Sequence, residues 1–168
     1  EVGLYGLAYQ FFEASLAIPI FFANAIYPIL SKLYMTDKLS FQTQVVSWVK
    51  ILLFASTLLT LALILVALLI PNPLFWGKNF EGSVRSLQIL ALGIPFFFIS
   101  ALLWHLLIIY DKQKFLTVIY AAGALFNIVT NLIFIPTHGY IAASVITVVS
   151  EALITLLLIL ALFIRNWK

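Results

Sequence analysis

The sequence predicts an all-α integral membrane protein with five transmembrane helices. Of its 168 residues, 64% are hydrophobic and 9% are charged, whereas soluble domains carry roughly a quarter charged residues. The apolar residues form continuous runs, not the alternation of a half-buried strand or the narrow stripe of a soluble helix. A helix needs about 20 mainly apolar residues to cross a bilayer. Five segments reach that length: 4–30, 45–70, 87–110, 115–135 and 140–164.

The first run carries Gly6, Gln10, Glu13 and Ala17 at spacings that place them on one helical face, with Asn24 on it if Pro19 bends the helix only mildly. The polar stretch from Ser31 to Lys38 ends it. The second run contains Lys50, whose stem can snorkel to the near interface, and Trp48, whose ring suits the headgroup layer; Trp76 and Trp167 are expected there too. A segment opening with Pro71-Asn72-Pro73 and running through Arg85 separates it from the third run, where Pro95 predicts a kink. His105 in that run reads as a packed or interfacial histidine, Trp104 as a packing ring, and Lys78, Glu81 and Arg85 before it as a solvated surface.

Asp111-Lys112-Gln113-Lys114 and Pro136-Thr137-His138-Gly139 are short connections, so the last three runs should form consecutive antiparallel hairpins. The fourth run places Tyr120, Ala124, Asn127 and Asn131 on one face. The fifth does the same with Ser144, Thr147, Glu151 and Thr155.

These faces have two readings. They can line a hydrophilic cavity, with Glu151, Glu13, Gln10, Asn127, Asn131, Thr147, Ser144 and Asn24 as transport-pathway candidates. They can equally be glue, since polar side chains join membrane helices with bonds of about 0.6 kcal/mol each. Glu13 and Glu151 are the stronger cavity candidates, because an acid at the bilayer centre costs about 2.5–3.5 kcal/mol on insertion scales.

Orientation follows from the cations. Alternate loops share a side, which assigns seven of the nine Lys and Arg residues to one side: Lys32, Lys38, Lys50, Lys112, Lys114, Arg165 and Lys168. The positive-inside rule makes that side, and the C-terminus, cytoplasmic. The chain contains no cysteine, no phosphate-cradling glycine loop and no metal-ligand spacing. Neither an enzyme nor a nucleic-acid partner is expected, since the cations flank apolar runs and form no basic stripe. An apolar run so close to the start, without an initiator Met, is the pattern expected of a piece of a longer transporter.

Two passages go beyond general membrane character. One is Val2-Gly3-Leu4-Tyr5-Gly6-Leu7-Ala8-Tyr9, followed by Pro19 and then Pro28-Ile29-Leu30-Ser31. The other places Asn127, Asn131, Ile135 and Pro136 ahead of Gly139, Ala142-Ala143-Ser144, Thr147 and Ser150-Glu151. In that order they resemble the polysaccharide and oligosaccharide-lipid flippases, in the superfamily that also holds the multidrug and toxin extruders. Gly77, Phe80 and Ser83, Leu87-Gln88-Ile89-Leu90 and the Asp111–Lys114 turn fit the same order. Ala142 stands where that family usually has glycine, and Ser144 and Ile146 where alanine is common.

The resemblance implies the carboxyl-side lobe of a two-lobed transporter, with an N-terminal lobe as partner. It implies a polyprenyl-diphosphate-linked glycan as substrate, and often H⁺ or Na⁺ coupling with no bound cofactor. An anionic diphosphate is expected to meet Arg or Lys, yet only the edge of the second run carries a cation. The rivals are a multidrug or toxin antiporter of the same superfamily and a membrane scaffold that transports nothing.

Overall fold

The computed structural model describes residues 2–69 and 81–164, and every element among them is a helix. The expected roles of Trp76, Lys78, Arg165, Trp167 and Lys168 fall outside the described residues. The helices are α1 (Val2–Thr36), α2 (Lys38–Leu69), α3 (Glu81–Ala91), α4 (Ile94–Ile109) and α5 (Gln113–Phe163). Three of them, α1, α2 and α5, are long and apolar enough to cross a membrane, and α3 with α4 makes a fourth if that bent pair is one span. The first two runs thus extend past their expected ends at both the Ser31–Lys38 stretch and the residues before Val45. Polar residues do not stop a helix by themselves; only Asp37 interrupts it, accepting hydrogen bonds from the Leu39 and Ser40 amides as an N-cap of α2. Pro19 and Pro28 both lie inside α1.

The third run is broken where Pro95 was expected to bend it. α3 and α4 meet at 42° across Leu92-Gly93. Proline has no N–H, so the carbonyl four residues back, that of Ala91, loses its helical donor. Thr60 of α2 supplies one, donating from Oγ1 to the Ala91 oxygen at 3.1 Å. Thr155 of α5 donates to the Phe96 carbonyl at 3.2 Å. The break is therefore tied to helices on both sides, and α4 touches α1, α2 and α5. Its buried residues Ile94, Phe98, Leu102, Leu103, Leu106 and Leu107 face several directions, as expected of a helix enclosed by others.

The fourth and fifth runs are one continuous element with a single non-helical residue, Gly139, at φ 60° and ψ −149°. That conformation is essentially restricted to glycine. The two halves of α5 fold back on each other. Asn127 Nδ2 donates to Ser150 Oγ at 3.0 Å, and Gly123 packs directly against Ile154. At the far end, Lys112 Nζ donates to the carbonyls of Ala161, Leu162 and Ile164 at 2.8–3.0 Å. A cation there meets the carbonyl end of the helix dipole, where acceptors outnumber the donors of the helix itself. Lys112 also closes α4: its N–H reaches the Leu107 carbonyl while Asp111 adopts φ 57°, the left-handed C-terminal cap.

The outer faces are apolar. Phe54, Leu58, Leu61, Leu65 and Leu68 on α2, and Leu125, Ile128 and Leu132 on α5, are exposed, which suits lipid. Trp48, expected near the headgroups, packs edge-on against Phe22 with its Nε1 buried and unbonded.

A methyl added at Gly123 would lie 2.5 Å from Ile154 Cγ1. Gly123→Ala should destabilise the protein by about 1–3 kcal/mol, the usual cost of overpacking. Thermal unfolding in detergent measures this. Adding Ile154→Ala should return part of the loss; a Gly123→Ala protein as stable as the parent would show that the hairpin halves do not meet there.

Candidate functional site: a cavity between α1, α4 and α5

The helix faces converge on a cavity of about 380 Å³. From α1 it takes Leu16, Pro19, Ile20 and Asn24, and from α4 Phe97, Ser100, Ala101, Trp104 and His105. The α4 residues follow the spacing of one helical stripe. From α5 come Tyr120 and Glu151, one from each half of the hairpin, so the Gly139 reversal is what brings them together.

Glu151 is 6% exposed and accepts a hydrogen bond from Ser100 Oγ. Tyr120 stands close to both and its ring meets Trp104 edge-on at 5.0 Å. Further along α4, His105 Nε2 lies 3.1 Å from Asn24 Oδ1, and His105 Nδ1 lies 2.8 Å from the Ala101 carbonyl. Tyr27 packs against the imidazole at 5.2 Å. Among the described residues the cavity thus combines one acid, one imidazole, an amide and three further aromatic rings, with no Lys or Arg in its lining. Such a set can take up and release protons, hydrogen-bond a hydroxylated guest or hold a cation against π-faces.

Two of the sequence candidates, Glu151 and Asn24, line this cavity. Ser144 and Thr147 do not: each hydroxyl donates to its own helix four residues back, to Tyr140 and Ala143. Asn127 and Asn131 border a separate open groove of about 370 Å³ with Leu132, Ile135 and Pro136. There Asn131 donates to Asn127, which donates to Ser150, while Asn131 Oδ1 is buried without a partner among the described residues. These bonds are within the α5 hairpin. Gln10 and Glu13 are exposed on the early turns of α1, away from the cavity.

Sequence reasoning left out Ser100 and Trp104 as site residues, treated His105 as packing, and gave Tyr120 only as one member of the Asn127 face. A usable signal existed. Phe97, Ser100, Ala101, Trp104 and His105 recur at i, i+3, i+4, i+7 and i+8, and the polar side chains of Ser100 and His105 both lie on this stripe.

No group of three or more His, Asp or Glu residues among the described residues could hold a metal. The architecture defines an all-helical chain with several helices fit for a membrane. Against family models, curated proteins and solved structures alike, the chain has no match.

The Ser100–Glu151 bond joins α4 to α5 inside this cavity. Ser100→Ala leaves a buried carboxyl without its partner and should cost about 1–3 kcal/mol. In a Glu151→Leu background the same change should cost much less. Equal losses in both backgrounds, read by thermal unfolding, would mean that the two side chains do not interact.

Proposed function

We propose that this chain is the carboxyl-side lobe of a transporter that flips a polyprenyl-diphosphate-linked glycan to the outer leaflet of the cell membrane. It crosses five times, with the two halves of α5 as separate passes, and ends in the cytoplasm. The flippase-like passages of the sequence suggest the substrate. The observation that supports a pathway is the cavity itself: a buried acid and an imidazole face a shared space between three helices, where simple packing would call for apolar contacts. Each half of α5, Gln113–His138 and Tyr140–Phe163, exceeds the ~20 residues of a span, and the Gly139 bend separates them. Alternating access would open this cavity to each side in turn as the lobe rocks against its partner lobe.

A second reading has a specific observation in its favour. Among the described residues the lining holds a carboxyl and aromatic rings but no Lys or Arg for a diphosphate. That suits an organic cation, and hence an antiporter of the same superfamily, unless the partner lobe contributes the basic residues.

Topology is tested by cysteine labelling. An impermeant reagent applied to intact cells should label a cysteine at Thr137 but not ones at Asp37 or Gln113. The opposite pattern would overturn the five-pass orientation.

The acid is tested by Glu151→Gln, which keeps the shape and most hydrogen bonds but cannot ionise. The variant should accumulate like the parent and lose glycan-lipid export by at least tenfold, equivalent to about 1.4 kcal/mol in the rate-limiting barrier. Normal export would remove Glu151 from the transport path. Intact export of glycan lipid but altered extrusion of lipophilic cations would favour the antiporter.

A further inference from the structure

We infer that His105 is a proton-binding site of the cavity, that the proton enters at Nε2, and that Asn24 is the partner that lets it do so. The hydrogen-bond geometry carries this. The Ala101 carbonyl can only accept, so at 2.8 Å from Nδ1 it requires a proton on that nitrogen. The neutral ring is therefore the Nδ1–H tautomer, and its free lone pair sits on Nε2, the nitrogen that meets Asn24. Tautomer choice at one nitrogen is set by the bond that the other makes.

Asn24 is suited to both states of that nitrogen. Its amide has an accepting and a donating end. Toward neutral His105 it presents Nδ2–H to the Nε2 lone pair. When hydronium in the cavity delivers a proton to Nε2 and departs as water, the Nδ2–H···Nε2 bond is given up, the amide turns over and Oδ1 accepts the new N–H, which is the arrangement with Oδ1 at 3.1 Å. A side chain that could only donate or only accept would hold the ring in one state.

The groups facing His105 can be named element by element. α1 contributes Asn24 and the Tyr27 ring. α5 contributes Glu151 and Tyr120, while α2 and α3 contribute no lining residue among the described residues. The cavity then has two proton-accepting groups on different helices, the Glu151 carboxyl on α5 and His105 on α4. The Asn24–His105 bond also joins α1 to α4 at the wall, so a proton there changes how α1 is held. Its place in a transport cycle rests on the reading of the cavity as a pathway; the proton site itself does not.

The test uses the imidazole's own nitrogen signals. The chain has two histidines, so His138→Gln, at an exposed residue outside the cavity, leaves one to observe. The protein is labelled with ¹⁵N-histidine and placed in lipid nanodiscs. At alkaline pH, Nδ1 should carry the proton and Nε2 should resonate as a bare nitrogen; on acidification only Nε2 should change. Asn24→Asp replaces the two-ended amide with an acceptor, and should leave both nitrogens protonated at a pH where the parent has one. A neutral ring protonated on Nε2 in the parent would overturn the proposal without any further variant. So would an Asn24→Asp protein whose ring signals match the parent's. Because no transport is measured, a failed glycan-export assay would leave this result standing, and a failed ring titration would leave the glycan reading standing.

Discussion

Backbone carbonyls without a helical donor are the constraint on which the rest of this structure depends. In lipid an unpaired polar group costs several kcal/mol, because no water is present to replace the lost bond. Helices solve the problem along their length but not at their breaks. Pro95 removes the donor for Ala91, and the protein answers with Thr60 from a neighbouring helix. At the α5 carboxyl end, Lys112 donates to the carbonyls of Ala161, Leu162 and Ile164 together. Each reply comes from a residue far away in the chain, so each is also a tertiary constraint.

Those replies decide where the cavity lies. Thr60 and Thr155 hold the α3–α4 break between α2 and α5, which sets the direction in which α4 leaves it. The stripe from Phe97 to His105 then faces α1 and the α5 hairpin. Had the third run been an unbroken helix, Ser100 and His105 would keep their spacing but not their neighbours. The cavity is in this sense a product of the proline, even though Pro95 is absent from its lining.

The polar residues within the long apolar helices divide by what they touch. Ser144 and Thr147 return their hydroxyls to their own helix, and Asn127, Asn131 and Ser150 bond to one another within the hairpin. These are the means by which apolar helices hold shape where hydrophobicity does not distinguish helix from lipid. Glu151, Ser100, Tyr120, Asn24 and His105 instead surround open space. Both sets carry hydroxyls and amides, so residue type does not separate them.

The sequence by itself determined the class of element and made several helices apolar enough for a membrane. Continuous apolar runs admit only helices in lipid, and Pro95, Gly139 and the Asp111-Lys112 turn mark where helices must bend or end. Glu151 stood out in the sequence as a residue that needs a partner, because a carboxyl in an apolar run is costly wherever it lies. What only the tertiary structure decided is which polar residues share a space. Ser144, Thr147 and Glu151 lie on one helical face, yet Glu151 alone of the three reaches the cavity, because α4 covers that face and meets it at Ser100. His105 and Asn24 are 81 residues apart, and nothing local links them. Helical periodicity assigns a residue to a face of its own helix; which helix then covers that face depends on the breaks, the hairpin and the long-range bonds that satisfy them.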